Sequence, residues 1–580
     1  MPTASADRAV HVLQALLAAG VRDVVLAPGS RSAPFALALY AADAAGDLRL
    51  HVRLDERTAG FLALGLCIGS RAPVAVVTTS GTAVGNLLPA VMEAHHAGRR
   101  LIVVSADRPA SLRGTGANQT TWQDGIFGTF APTADLAVEA PGSAVVEAVR
   151  VAAGGVGPAH LNVQFDAPLV PEPGMPWWPG PLDPSVLQVA DGPTSGDDGP
   201  AALPVTLAAA PRTVVLAGDD AGPAARGLAE AAGVPLLAEP TSGSRAGDHA
   251  IRTYRLLLAT ALGGAIERVV VVGHPTLSRP VTALLSRPDV ELLAVRGRAG
   301  VATDPARRAR VLDALPQLAA ADATAGARSD ARSNARSEST SWLTAWQQAD
   351  HAVSKRLDAL VAELPELHAL HVAAEISAAL GPGQSLVVGS SNPVRDLDLM
   401  LVPYRPRERR LVVGNRGLAG IDGTISTAIG VDLGRAGAPR TTAVMGDLTF
   451  LHDAAGLILG PDEPRPDVTI VVVNDDGGSI FTLLEQGAPP FAAAFERVFA
   501  TPHGVDLAAL CAASGTAYER VRERAALAAA LADHAPGLRV VEARVGRADR
   551  RALAARLAAL AADLPGLAPA SRAAPAGGMP

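Results

Sequence analysis

Cysteine is almost missing from this sequence: Cys67 and Cys511 are the two thiols among 580 residues. Two thiols make no disulfide framework, and neither sits in a CxxC or His-rich cluster, so a reducing cytoplasm with two core thiols is expected. Lysine is scarcer still. Of the 50 Lys and Arg residues all but Lys355 are arginine. Schiff-base chemistry therefore has one amine to use, and it lies in an amphipathic stretch (342–364) where a solvated helix face is the simpler reading. No block of Lys and Arg stands out and the net charge is -7, which argues against a nucleic-acid partner. Apolar runs are cut by Arg, Gly or Pro well short of ~20 residues, so no membrane span is expected. The opening Met1-Pro2-Thr3-Ala4-Ser5-Ala6-Asp7 has neither the basic nor the apolar region of a secretory signal, which fits the same cytoplasmic expectation.

Hydrophobic residues, by contrast, make up 49% of the chain, enough for large cores, and the length predicts about three domains at ~150–200 residues each. Short β-branched runs alternate with Ala/Leu-rich helical stretches throughout, which reads as α/β with parallel sheets. Strands are predicted at 23–27, 74–78, 101–105 and 161–165, then at 213–217, 268–272 and 291–295. A third set is predicted at 385–389, 410–413, 442–445, 468–473 and 538–545. A Pro/Gly/Asp-rich stretch at 179–200 reads as a linker. From 319 to 340 the chain turns to Ala, Arg, Ser and Asp, with Ala-Arg-Ser three times over, and reads as a disordered linker. The expected domains are thus 1–185, 200–320 and 342–565, with a linker at 321–341 and a flexible tail at 566–580. No repeat of solenoid period is present.

Two distant segments make chemical sense together. Gly446-Asp447-Leu448 follows one predicted strand and Val473-Asn474-Asp475-Asp476-Gly477-Gly478 ends another. Carboxylates at strand C-terminal edges lie where open α/β sheets bind ligands. Mg²⁺ is commonly held by one or two carboxylates plus phosphate oxygens, and Gly477-Gly478 lets a main-chain carbonyl approach. Helix N-termini near Thr449 and Ser479 can face phosphates. Taken alone, each aspartate is also an ordinary helix cap. Far upstream, Leu54-Asp55-Glu56-Arg57 places Glu56 between a short apolar segment and an apolar helix (59–68). A carboxyl there should be partly desolvated, which raises its pKa and suits it to share a proton with a ring nitrogen; a dipole-stabilised helix carboxylate is the plainer alternative. A metal–diphosphate clamp late in the chain with an isolated early glutamate is the layout of thiamine-diphosphate enzymes.

Between them, Gly414-Asn415-Arg416-Gly417-Leu418-Ala419-Gly420-Ile421-Asp422-Gly423 puts a glycine at every third residue before a helix at 424–434. Its phase is wrong for a dinucleotide fingerprint, and a cofactor-cradling loop fits better. Pro28-Gly29-Ser30-Arg31-Ser32 joins a strand to a helix and combines hydroxyls, an arginine and free N–H groups, an anion site by composition. Arg108 follows another strand in Asp107-Arg108-Pro109, with Gly116-Ala117-Asn118-Gln119 close by, and Arg279 and Arg395 sit in further post-strand loops. Arginine forks bind carboxylates bidentately, so convergence of these side chains would mark a polyanionic small molecule.

Together these segments resemble one family: 2-succinyl-5-enolpyruvyl-6-hydroxy-3-cyclohexene-1-carboxylate synthases, the thiamine-diphosphate enzymes of menaquinone biosynthesis. The resemblance rests, in order, on APGSRS from Ala27, LDER from Leu54, TSGTA from Thr79, ADRP from Ala106, GANQ from Gly116, GPAHLNV from Gly157, NRGLAGIDG from Asn415, GDLTFLHD from Gly446 and VNDDGGSIF from Val473. It implies an α/β fold of three doubly wound parallel-sheet domains: pyrimidine-binding, central and diphosphate-binding. It implies a homodimer or homotetramer whose active sites join the first domain of one chain to the last domain of another. Glu56 would bond the aminopyrimidine, Ile421 would wedge the cofactor into its bent form, and Asp447, Asp475 and the Gly477 carbonyl would hold Mg²⁺ or Mn²⁺. Cofactor contacts would include Ser391, Arg416, Gly417, Gly446, Leu448 and Ile480. Ser30, Arg31, Ser391 and Arg395 would join Glu56 in catalysis, and Arg108, Asn118, Gln119, Arg279, Phe481 and Leu484 would complete the substrate pockets with Arg416. The implied reaction is decarboxylation of 2-oxoglutarate and 1,4-addition of the resulting succinic semialdehyde carbanion to isochorismate. Two positions depart from the family pattern: Asp475 stands where an Asn is common, so an anionic ligand replaces an amide, and Ser278 stands where a cation would be expected beside Arg279. An acetohydroxyacid-synthase-like carboligase or a non-catalytic homologue is the alternative; the arginine turns speak against the first and the retention of Glu56, Asp447 and Asp475 against the second.

Overall fold

Every strand pair in the three principal sheets is parallel. The computed structural model describes residues 4–170, 177–183, 206–207, 212–318, 329–533, 535–562 and 564. The first sheet comprises β1 (Asp23–Leu26), β2 (Arg49–Val52), β3 (Val74–Thr78), β4 (Leu101–Asp107), β5 (Thr133–Leu136) and β6 (Ala159–Gln164), in the order β2-β1-β3-β4-β6-β5. β7 (Thr206–Leu207) pairs with β13 (Gln317–Leu318), and between them lies the central sheet of β8 (Thr213–Ala217), β9 (Leu236–Ala238), β10 (Arg268–Val272), β11 (Glu291–Val295) and β12 (Arg310–Leu312). The third sheet has β14 (Ser385–Val388), β15 (Leu411–Val413), β16 (Thr441–Gly446), β17 (Val468–Asn474), β18 (Ala517–Val521) and β19 (Arg539–Arg544), in the order β15-β14-β16-β17-β19-β18. The first and third sheets therefore share one topology, and each reverses direction between its first and third strands. Ligand crevices form outside the carboxyl ends of strands at such switch points.

The inner strands are buried at every position, as in β3, β4 and β17, because helices cover both faces of a parallel sheet. That is why their unbroken Val/Ile/Leu runs were readable as strands. Edge strands β2, β5 and β18 are buried on only part of their length; they carry polar residues and have no such run.

Two segments differ from the sequence reading. The helix Ser329–Ala362 takes up the later part of the Ala/Arg/Ser-rich stretch read as a disordered linker. Its residues are fair helix formers, and Trp342 and Trp346, buried against the central sheet, anchor its following turns. Residues 319–328 lie outside the described residues, as do 184–200 of the stretch read as the first linker and 566–580 of the expected tail. The start of that first linker is tied down: Trp178 Nε1 donates to Asp47 at 2.6 Å and Gln14 to the Gly180 carbonyl at 2.7 Å.

One core runs through the first and third sheets and includes Val25, Phe61, Leu62, Ile425, Ile429 and Met445. Its centre is the pair of helices Glu56–Ser70 and Thr424–Gly434, which meet backbone to backbone on glycines. A methyl on Gly430 would stand 2.8 Å from Gly65 Cα, and one on Gly434 3.2 Å from Gly69 Cα. The helix that begins at Glu56 thus rides directly on the helix that follows the glycine loop. Among the described residues no helix is long and apolar enough to cross a membrane.

Candidate active site

Asp447 opens the short helix that follows β16 and is 2% exposed. Its carboxylate accepts from the Leu448 N–H at 2.7 Å and from the Gly477 N–H at 2.9 Å, which ties the ends of β16 and β17 together. Burial raises its pKa, against the pull of those two amides and of His503, whose Nε2 lies 3.4 Å away. Asp475 is pushed up to about 7, by burial first and by the Asp447 charge next. A buried carboxylate and a half-buried one that repel each other suit a cation. Asn474 is not available as a ligand, because its amide donates to Glu542 at 2.7 Å and its oxygen accepts from the Asp476 N–H at 3.0 Å. The anionic Asp475 is therefore the side chain this segment offers. Gly477 has φ of 144°, and a Cβ there would lie 2.6 Å from Arg547 Nη1 and nearer still to the Ala500 carbonyl, so only glycine fits. Gly446, by contrast, faces open space. Among the described residues no three His, Cys, Asp or Glu side chains group as a metal site. Two carboxylates and a carbonyl fit Mg²⁺ or Mn²⁺ that takes its remaining ligands from phosphate and water.

The switch point of the third sheet lies between β14 and β16. Ser391 caps the helix Asn392–Met400 there with φ of 74° and ψ of -135°, a conformation that strains any residue with a Cβ and collects at functional sites. The neighbouring Ser390 hydroxyl is buried and has no hydrogen-bond partner among the described residues. Asn392 donates to Ser479 at 2.7 Å and so links this turn to the helical turn Ser479–Leu483 carrying Ile480 and Phe481. Arg395 donates to the Ser391 carbonyl at 2.6 Å. Burial and the charges of Arg416 and Arg255 hold its pKa below the ordinary value. Arg416 is 3% exposed and reaches Thr276 of the central domain at 3.3 Å.

A second arginine pair lies at the corresponding edge of the first sheet. Arg108 is buried at the end of β4, and its Nη1 donates to Ser80 Oγ at 2.6 Å and to the Gln119 carbonyl at 2.7 Å. Gln119 returns a bond to the Ser80 carbonyl at 2.8 Å. The segments 79–83, 106–109 and 116–119 are thus one structure. Arg31 donates to the Phe165 carbonyl at 3.0 Å, and burial together with the Arg108 charge lowers its pKa. Ser30 and Asn118 are exposed beside them. Glu56 is the first residue of its helix because Asp55, with extended backbone, caps the Thr58 N–H at 3.0 Å. Glu56 is half-buried and accepts from Asn86 at 3.1 Å.

The five arginines therefore stand as two pairs and a remainder. Arg31 feels the charge of Arg108 and Arg395 that of Arg416, while Arg279 is 68% exposed and bonded to Glu485 at 2.9 Å, next to Leu484. The Ser278 hydroxyl before it is buried and has no hydrogen-bond partner among the described residues. Four groups had no sequence signal strong enough to single them out: Ser80, His503, Ser390 and Glu93. Only Ser80, inside the TSGTA segment, lay in a motif at all.

Known proteins match this sequence. A family model described as thiamine pyrophosphate enzyme, N-terminal TPP binding domain, covers residues 7–126, and the corresponding C-terminal TPP binding domain covers 398–543. The chain is 55% identical to the 2-succinyl-5-enolpyruvyl-6-hydroxy-3-cyclohexene-1-carboxylate synthase of Nocardioides sp. over 96% of its own length and 98% of the relative's. It is 48% identical to the synthase of Paenarthrobacter aurescens, over 94% of both chains, and 48% identical to that of Kineococcus radiotolerans, over 95% and 98%. This chain belongs to the 2-succinyl-5-enolpyruvyl-6-hydroxy-3-cyclohexene-1-carboxylate synthase family.

Proposed function

We propose that the protein decarboxylates 2-oxoglutarate and joins the remaining four-carbon unit to isochorismate by 1,4-addition, giving 2-succinyl-5-enolpyruvyl-6-hydroxy-3-cyclohexene-1-carboxylate and CO₂ in menaquinone biosynthesis. The observation that carries this reading is the placement of Arg31 and Arg108 after strands of the first sheet and of Arg395 and Arg416 after strands of the third, at the carboxyl edges where such sheets bind ligands. Both substrates are dicarboxylates, and planar guanidinium forks suit them. A carboligase of apolar 2-oxo acids has no use for such pairs.

Bound thiamine diphosphate would supply the electron sink for loss of CO₂ and for carbon–carbon bond formation. Asp447, Asp475 and the Gly477 carbonyl would hold Mg²⁺ or Mn²⁺ on its diphosphate, with Gly446, Leu448 and Ile480 around it. Ser391, Arg416, Gly417 and Ile421 would support the rings. Glu56 would exchange a proton with the aminopyrimidine. Ser30, Asn118, Gln119, Phe481 and Leu484 would shape the substrate side, with Arg279 at its rim.

In this reading residues 1–185 are the pyrimidine-binding domain, 200–320 the central domain and 342–565 the diphosphate-binding domain of a cytoplasmic homodimer or homotetramer. Glu56 of one chain would serve the Asp447 edge of another. In support, Leu54 beside Glu56 is 74% exposed and Leu418 in the glycine loop 48% exposed in the single chain, apolar surface of the kind that interfaces cover. Loss of isochorismate absorbance should require 2-oxoglutarate, thiamine diphosphate and Mg²⁺ together. Consumption that proceeds without 2-oxoglutarate contradicts the proposal.

A further inference from the structure

Glu93 lies on the helix Leu88–His96 of the first domain and is 4% exposed. Its carboxylate reaches across to the third domain. Oε1 accepts from the Gly417 N–H at 2.7 Å and Oε2 from the Leu418 N–H at 2.8 Å. Two successive amides of the glycine loop thus share one carboxylate, one oxygen each. Burial pushes the Glu93 pKa up, and the two amides with Arg416 and Arg99 act against that. A buried charge is retained at such a place only when it is well bonded.

Apart from the buried Arg416, whose guanidinium reaches Thr276 at 3.3 Å, the loop has little else to fix it at this point. Leu418 is half exposed and buries no anchor, and Ala419 has φ of 59°. Asn415 bonds the Asp422 carbonyl at 3.2 Å and Thr427 at 3.1 Å, which closes the two ends of the loop but leaves its middle. Gly417 permits the approach: a Cβ there would stand 3.0 Å from the Glu93 carboxylate and from His96 Cβ. Arg416 immediately precedes Gly417, so whatever fixes the Gly417 amide also fixes the backbone that presents the Arg416 guanidinium. A glutamine could offer one oxygen to one amide and would turn an N–H₂ group toward the other. A carboxylate is what two adjacent donors require.

We propose that Glu93 is a positioning residue for the reaction: from the first domain it sets the shape of the loop Gly414–Gly423, and with it the placement of Arg416 and Ile421 toward cofactor and substrate. This rests on the function proposed above. The bland alternative is a staple that holds two domains together and nothing more. Gly69→Ala, at the same domain interface but packed on Val431 and Gly434 at the end of the helix remote from the loop, is the control for that role.

Glu93→Gln in the full-length protein, which keeps the side chain's volume, is compared with wild type and Gly69→Ala. Hydrogen exchange of the protein without cofactor is read on the peptide spanning 414–423. Glu93→Gln should exchange there at least about tenfold faster, and Gly69→Ala should not. The thiamine diphosphate concentration for half-maximal thermal protection in Mg²⁺ should rise about tenfold or more, the loss expected when a contact group is misplaced. In turnover the KM for isochorismate should rise by a similar factor, with kcat reduced less, and Glu93→Ala should exceed Glu93→Gln. Unchanged exchange in 414–423 overturns the proposal, as does wild-type half-saturation once the folded fraction is matched. If wild type fails to consume isochorismate, the exchange and cofactor measurements still decide the role of Glu93, because neither uses those substrates.

Discussion

Adding one methyl group to Gly65 tests how the first and third domains are joined. Gly65 sits inside the helix Glu56–Ser70, where alanine is intrinsically better than glycine by about 1 kcal/mol. The structure reverses that sign. A Cβ at Gly65 would stand 2.9 Å from both Gly430 Cα and the Thr427 carbonyl carbon, and closer still to the Thr427 oxygen. Carbon atoms pack at about 3.5–4.0 Å, so the two helices must part by about 1 Å. All three atoms belong to helical backbone and cannot rotate aside. The gap opens in the core shared by both domains, around Phe61, Leu62 and Ile429. Overpacking of this kind destabilises by about 1–3 kcal/mol, which outweighs the propensity gain. Gly227 supplies the opposite case: it lies in the helix Gly222–Ala232, and a Cβ there meets nothing within 4 Å. Gly227→Ala should stabilise its domain by about 0.5–1 kcal/mol. Calorimetry at fixed protein concentration should show Gly65→Ala melting lower and Gly227→Ala higher than wild type, at about 2–4 °C per kcal/mol for domains of this size. If Gly65→Ala melts at or above wild type, the close helix contact is wrong.

The proton-exchanging role of Glu56 predicts that Glu56→Gln keeps the melting temperature and the thermal protection by cofactor while turnover falls about 10²–10⁴-fold; near-normal turnover removes Glu56 from the chemistry. Asp447→Asn should abolish the stabilisation that Mg²⁺ and thiamine diphosphate give to wild type, about 2.7 kcal/mol at 100 times the dissociation constant, and excess chelator should do the same to wild type. Retained protection in the variant contradicts Asp447 as a ligand. Glu239, buried at the edge of the central domain, is pushed up to about 8 by burial from an ordinary 4.5. A raised acid is favoured in its neutral form by the fold, so its stability contribution is complete below pH ~4.5 and is lost as pH rises through ~8. Glu239→Gln keeps an acceptor for the Leu277 N–H and loses the titration. Its melting temperature relative to wild type should therefore climb between pH 5 and about 8 and then level; a difference independent of pH refutes the buried acid.

The sheets were legible where physics makes sequence redundant. β3, β10 and β11 match their predicted spans residue for residue because strands covered on both faces must be continuously apolar. β2 and β18 escaped because an edge strand is half solvated and its Arg and Glu residues break the run. Asp447, Asp475 and Gly477 were visible because strand-end position and residue type together specify a ligand edge. Glu93 and His503 were not, since each acquires meaning from a partner far along the chain, 324 residues away for Glu93 and Gly417 and 56 for His503 and Asp447. The Asn474-Asp475 pair shows the same limit: sequence gives two oxygen ligands side by side, and only the bond from the Asp476 N–H to the Asn474 oxygen reveals which is already engaged. For Arg279, spacing after a strand implied convergence with the other arginines, whereas in the single chain a salt bridge to Glu485 holds it at the surface.

The central claim is a synthase that couples loss of CO₂ to attack on isochorismate. The most direct measurement is CO₂ release from carboxyl-labelled 2-oxoglutarate by the purified protein with thiamine diphosphate and Mg²⁺, with and without isochorismate. Release should accelerate on adding isochorismate and match its consumption mole for mole. Release from pyruvate that is indifferent to isochorismate would contradict it, leaving the fold and cofactor site in place and the substrate assignment wrong.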